Sequence, residues 1–137
     1  MSTLTIDALT NNLPKVLSFI HANLEQGLCP SSTQAKIELA VEEVFVNIAN
    51  YAYGDAVGSV AISCMLKTNP MGICITISDN GCAFNPLLHK KADLTLPAQE
   101  RGIGGLGIFL FKKIMDEVTY ARKDNCNVLT LTKNWFQ

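Results

Sequence analysis

Apolar residues recur along this chain at two different periods, and the switches between them mark the elements. Ser2 to Asp7 alternates polar positions with Leu4 and Ile6, the period-two pattern of a short strand. Leu13, Val16, Leu17 and Ile20 then recur at helical spacing, with Thr10 or Asn11 placed to cap the start. Gly27 and Pro30 punctuate that helix. Ser31 or Ser32 opens a second one through Ile37, Val41, Val44 and Ile48 towards Tyr53 and Gly54. Val57 to Lys67 and Met71 to Ser78 are β-rich runs joined by Thr68, Asn69 and Pro70, which predicts a hairpin whose second strand ends at Asp79. From Phe84 to Arg101 the periodicity fades, and Pro86, Pro97 and the cluster His89, Lys90 and Lys91 predict a long loop with at most one helical turn. Gly102 to Gly107 leads into a helical stretch through Leu110 and Ile114. Val118 to Arg122 and Val128 to Thr132 then predict a closing antiparallel pair around Lys123 to Cys126. The order β, α, α, β, β, loop, α, β, β shows no internal repeat or linker. It predicts a single domain over residues 1–137 of class α+β, a mostly antiparallel sheet covered by helices on one face.

Composition narrows the function classes. An apolar share of 48% with 17% charged residues suits a packed core and a mixed surface, and a chain of 137 residues can bury roughly two-thirds of its unfolded surface. A formal net charge of -1 supplies no field to gather nucleic acid or anionic membrane, so direct binding to either is not expected. The apolar run Gly102 to Phe111 is too short and glycine-rich to span a bilayer, and Met1 to Asp7 lacks the features of a signal segment, so a cytosolic protein is expected. The 5 cysteines are odd in number and form no C-x-x-C pair, which reads as reduced, mostly structural thiols. His21 and His89 are isolated from them and from each other, so no zinc ligand set can be assembled from local spacing.

Three constellations can carry chemistry. On a wheel of ~100° per residue, Ile37, Val41, Val44 and Ile48 group on one side of the second helix, with Glu43, Asn47 and Asn50 opposite. That stripe reads either as a solvated face or as a site in which Asn47 offers an oxygen to a hard cation such as Mg2+, while Glu43, one turn earlier, accepts a proton. Ile77-Ser78-Asp79-Asn80-Gly81 reads either as a simple turn or as a strand end whose carboxylate grips an exocyclic amine, with bare Gly81 admitting a base. Gly102-Ile103-Gly104-Gly105-Leu106-Gly107 can cradle phosphate oxygens with backbone N–H groups at a helix start. It matches G-x-G-x-x-G literally but follows a proline-containing polar loop rather than a strand, which argues against a dinucleotide fold. Lys90, Lys91 and Arg101 either neutralise phosphate or stand as solvated surface charges.

Read in order, Glu43-x-x-x-Asn47, Asp79-Asn-Gly81-x-x-Phe84 and Gly102-x-Gly104-Gly105-x-Gly107 resemble the N, G1 and G2 boxes of the GHKL ATPase and kinase superfamily. The stretches 38–47 and 105–118 look most like bacterial anti-sigma-factor serine/threonine kinases, and the resemblance covers nearly the whole chain. It implies a Bergerat-type fold, a two-layer α/β sandwich, binding ATP or ADP with Mg2+. By resemblance Glu43 is the catalytic base, Asn47 the Mg2+ ligand, Asp79 the adenine anchor and Gly81 its close neighbour. Gly102, Gly104, Gly105, Leu106 and Gly107, with Arg101, lie around the phosphates, and residues 84–101 form the lid. The implied function is an ATP-binding anti-sigma factor that phosphorylates a Ser or Thr of a STAS-domain (anti-anti-sigma) partner. The alternative is a nucleotide-gated module that sequesters a sigma factor or another regulator without kinase activity. A homodimer is a further implication. The sequence departs from the family pattern at Cys126 and Asn127, which stand at a turn often occupied by Gly and Thr.

Overall fold

The computed structural model describes residues 1–88 and 111–136. Strand β1 (Ser2–Asp7) leads through a 3-10 turn at Thr10–Asn12 into helix α1 (Leu13–Gln26) and helix α2 (Ser31–Asn47), which is extended by a π-helical turn at Ile48–Ala52. The hairpin β2 (Ser59–Lys67) and β3 (Gly72–Asp79) follows, then a 3-10 turn at Pro86–Leu88. After helical residues 111–114 come β4 (Glu117–Lys123) and β5 (Cys126–Asn134).

The strands form one 5-stranded sheet in the order β1-β2-β3-β5-β4. Every pairing is antiparallel. Strand alternation sends Val60, Ile62 and Cys64, Ile73, Ile75 and Ile77, and Leu129 and Leu131 to one face, where register stacks Ile62 on Ile77 and Ile75 on Leu131. Against that face lie Val16, Ile20 and Leu24 of α1 and Ile37, Val41, Val44 and Phe45 of α2, all buried. Fully burying a side chain of this size stabilises by about 1.5–3 kcal/mol relative to exposure. The helices pack only there because the other face carries Thr3, Thr5, Ser63, Thr76 and Thr130, which remain partly or fully exposed. The α+β two-layer sandwich predicted from the sequence is the fold observed.

Local details differ from the sequence reading for identifiable reasons. Thr10 and Asn11 do not cap α1: they lie in the 3-10 turn, the cap position is Asn12, and its amide donates instead to the Asp7 carbonyl at 2.9 Å. The second helix does not continue regularly to Tyr53 but changes pitch after Asn47. Cys126 and Asn127 are not in the turn. Asp124 and Asn125, both at positive φ (54° and 62°), make it, and Cys126 opens β5. No helix among the described residues is long and apolar enough to cross a membrane.

Candidate functional site

Where α2 passes over the ends of β3 and β5, a cavity of about 360 Å³ opens between helix and sheet. This lies near the small end of the ~300–1,000 Å³ typical of ligand pockets. Val44, Ile48 and Ala52 wall it from the helix, Ile77 and Leu129 from the sheet, and Phe84, Pro86 and Phe111 from the flanking segments. Asn47, Asp79 and Asn127 bring polar side chains to these apolar walls. Such a space suits a flat, largely apolar ring with a few polar edges.

Asp79 is the polar centre. It ends β3 opposite Asn127 of β5 and is only 7% exposed. Its Oδ1 accepts the Gly81 N–H at 2.9 Å and the Asn127 side-chain amide at 3.1 Å. Its Oδ2 has no bonded partner among the described residues, yet no fully buried side-chain polar atom among them lacks one. Oδ2 therefore meets the cavity that Asp79 lines and is available to a donor from a ligand.

Asn127 ties the surroundings together. Besides Asp79, its amide nitrogen donates to the Cys82 carbonyl at 2.7 Å, while its oxygen accepts the Phe84 N–H at 3.2 Å and the Tyr120 hydroxyl. The loop after β3 is held from the other side as well. Cys82 donates its N–H to the Ala52 carbonyl at 2.9 Å, and Arg122 Nη1 donates to the Gly81 carbonyl at 2.9 Å. The Tyr53 hydroxyl accepts the Asn80 N–H at 3.0 Å and directs its proton to the Ser59 carbonyl or to Asn80 Oδ1. Burial, chiefly, and the negative charge of Asp79 push the Tyr53 phenol above its ordinary pKa, against the opposing effect of the Asn80 N–H, so it stays neutral near pH 7.

The sequence candidates fall out unequally. Asn47 and Asp79 line the same cavity. Asn47 does so because it borders the apolar stripe rather than standing opposite it: Val44, Asn47, Ile48 and Tyr51 share the face turned to the cavity. Glu43 is half-buried one turn earlier and is not part of the lining; burial, then the neighbouring Glu42, raises its carboxyl pKa. Gly81 lies beside the cavity, and the space a Cβ would take is filled by Ala52, whose carbonyl oxygen would be 2.3 Å away. Arg101, Gly102, Gly104, Gly105, Leu106 and Gly107, with the loop from His89 onward, lie outside the described residues. Asn127 is a cavity-lining residue to which sequence reasoning assigned no role. Its one signal was an Asn at the mouth of a strand, where that residue is depleted.

No group of 3 or more His, Cys, Asp or Glu side chains able to hold a metal occurs among the described residues. A divalent cation here would rest on Asn47 and on oxygens brought by a ligand, the arrangement common for Mg2+ with nucleotide phosphates. Burial pushes the Cys64 thiol up to about 12, and burial together with Glu25 and Glu38 pushes Cys29 up to about 11, so both stay neutral.

A serine-protein kinase RsbW from Bacillus thuringiensis is 31% identical over 97 residues, covering 68% of this chain and 59% of that protein. The chain thus spans 59% of the length of that relative. The serine/threonine-protein kinase BtrW of Bordetella bronchiseptica is 29% identical over 98 residues, 72% of this chain and 68% of that one. Among solved structures, the RsbU and RsbW domains of a Mycobacterium tuberculosis protein match 98% of this chain and 32% of theirs with a TM-score of 0.63 at 18% identity. The Acinetobacter baumannii histidine kinase AdeS matches 100% and 69% with a TM-score of 0.54 at 15% identity. At those identities the structures speak to fold alone. The profile described as histidine kinase-like ATPase domain matches residues 6–133, nearly the full length, and the chain belongs to that family.

Proposed function

We propose that the chain binds ATP and ADP with Mg2+ and acts as an anti-sigma factor with protein serine/threonine kinase activity towards a STAS-domain partner. The observation that carries the reading is the convergence of the Asp79 carboxylate and the Asn47 amide on one apolar cavity. Asp79 Oδ2 accepts the exocyclic amine of adenine, and the walls from Ile48, Ile77 and Leu129 take its faces. Asn47 offers the oxygen that a phosphate-bound Mg2+ needs from protein, and the ion supplies charge neutralisation to phosphoryl transfer. Glu43, one turn away, takes the proton as a partner's Ser or Thr hydroxyl attacks the γ-phosphorus and the bond to ADP breaks. The RsbW and BtrW names of the relatives support the kinase and anti-sigma parts of this reading. Its setting would be the cytosol, where ATP and sigma factors meet.

Labelled Mg-ATP with a STAS-domain partner should label the partner. Glu43→Gln should stop transfer while moving the ATP Kd by less than about threefold, since it removes a proton acceptor and not a binding contact. Loss of fold will not explain the result. The Glu43 carboxyl has a raised folded pKa, so its contribution to stability is fully present below its unfolded pKa and lost as pH rises through the folded value. At pH 7 the wild type carries that penalty and Glu43→Gln does not, so the variant should melt no lower than wild type. The difference should close on acidification below the carboxylate range. Unlabelled partner despite tight ATP binding would leave the second reading, a nucleotide-gated module that sequesters a regulator without phosphorylating it. That reading is favoured by the position of Glu43 outside the cavity lining. No thermal shift with either ATP or ADP would end both.

A further inference from the structure

We propose that Asn127 determines which purine the cavity accepts, by turning Asp79 into a carboxylate with one usable oxygen. The inference rests on the nucleotide reading above. A carboxylate has two oxygens and about four lone-pair sites. Those on Oδ1 are occupied by the Gly81 N–H at 2.9 Å and the Asn127 amide at 3.1 Å, leaving Oδ2 to the cavity. The amide cannot turn to release Oδ1. Rotating it would set its oxygen against Asp79 Oδ1 and the Cys82 carbonyl, and its NH2 against the Phe84 N–H. Its orientation is fixed by three partners at once, the Tyr120 hydroxyl being able to donate or accept, and Asn127 is itself only 7% exposed.

The consequence is chemical. Adenine presents a single exocyclic amino group beside a ring nitrogen that accepts. Guanine presents two adjacent N–H donors, which a carboxylate with both oxygens free receives side by side. Against Oδ2 alone one guanine donor is buried without an acceptor, a loss of about tenfold to a hundredfold in affinity. Gly81 contributes a backbone donor that any residue would supply. Asn127 contributes a side chain, so the selectivity resides in a replaceable position.

Calorimetric titration of the full chain with Mg2+ and ATP, GTP or ITP tests this directly. ITP is the guanine nucleotide without its 2-amino group, so the GTP-to-ITP ratio reads whether a second carboxylate oxygen is available. In the unmodified chain ATP should bind tightest, and GTP should bind about tenfold or more weaker than ITP, because only GTP carries the donor left without an acceptor. GTP binding as tightly as ITP there, or more tightly, would overturn the proposal without any variant. In Asn127→Leu and Asn127→Val, neither of which has a donor and the second of which suits a strand, GTP should gain about tenfold on ITP. An unchanged ratio in either variant that retains the wild-type circular dichroism also overturns it. Asp79→Asn separates the two layers of the argument. ATP affinity that survives this change removes Asp79 as the purine contact and with it the proposal, whereas an unmodified chain that binds none of the three nucleotides sinks the nucleotide reading itself. Affinity lost with Asp79→Asn but a GTP-to-ITP ratio contrary to expectation sinks only the role of Asn127.

Discussion

A Cβ at Gly81 would sit 2.3 Å from the Ala52 carbonyl oxygen and 2.8 Å from both its carbon and its Cβ. Backbone atoms cannot step aside as a flexible side-chain tip can. Gly54 is glycine for the opposite reason: nothing lies within 4 Å of its would-be Cβ, but its φ is +59°. Gly81→Ala should therefore lower stability by about 1–3 kcal/mol through overpacking and weaken ATP binding, because the loop that carries the Gly81 N–H to Asp79 must shift. Gly54→Ala should cost about 1 kcal/mol through backbone strain and leave ATP affinity unchanged. Urea unfolding with parallel titrations distinguishes them; equal loss of binding in both would show that the Ala52 contact is unimportant. At this scale Asp79 was legible because an acid at a strand exit is a local pattern, and Asn47 stood out as a mid-helix amide, although it borders the apolar stripe that the helical wheel set it opposite. Asn127 was not legible, because its role comes from facing Asp79 across β3 and β5, 48 residues apart in sequence.

Among the elements, α2 shows how far periodicity reaches. Its apolar spacing predicts a helix through Val44 and Ile48, and the helix is there, but the change to π-helical pitch at Ile48–Ala52 leaves no trace in that spacing. Ile48, Tyr51 and Ala52 of this segment all line the cavity, in keeping with the tendency of π-helical turns to occur at functional sites. Tyr53 then anchors the end of the turn to Asn80 and Ser59. Its ring fills the space beside Gly58, where a Cβ would fall 2.1 Å from it. Tyr53→Phe should leave the Asn80 N–H without this acceptor and lower stability by about 1–2 kcal/mol, read as a lower urea midpoint at unchanged m-value. Because the folded phenol pKa is raised, its contribution is fully present below the ordinary phenol range and lost as pH rises through the folded value. The wild-type advantage should therefore persist at pH 7 to 8 and shrink in strong alkali. A midpoint that does not move at neutral pH would mean that water replaces the hydroxyl at no cost.

The sheet separates the site from the part of the molecule that closes the fold. Asp79 ends β3 at the cavity. At the other end, Gly72 pairs with Asn134, and Trp135 follows at once, roughly 25 Å away at ~3.4 Å per residue. Trp135 is 6% exposed; its indole N–H donates to the Gly27 carbonyl at 2.8 Å and its backbone N–H to Met71 at 2.9 Å. It thereby joins the end of α1, the β2–β3 hairpin and the end of β5. Gly27 makes room, since a Cβ there would be 2.6 Å from Leu66 Cδ2 and 3.3 Å from the indole. Strand alternation and helical spacing make the layers readable from sequence, but not this closure: the contact spans 108 residues, and Gly27 reads locally as a helix terminator rather than as a packing site. Trp135→Ala should cost about 3–5 kcal/mol in urea unfolding, the usual range for removing a buried Trp. Far from the cavity, the substitution should leave the ATP Kd of the folded fraction within about threefold of wild type. Mg-ATP at a hundred times its Kd should then return about 2.7 kcal/mol to variant and wild type alike, because the ligand stabilises only by binding the native state. A smaller ligand-induced gain in the variant would show that closure at Trp135 and the shape of the cavity are coupled through the sheet.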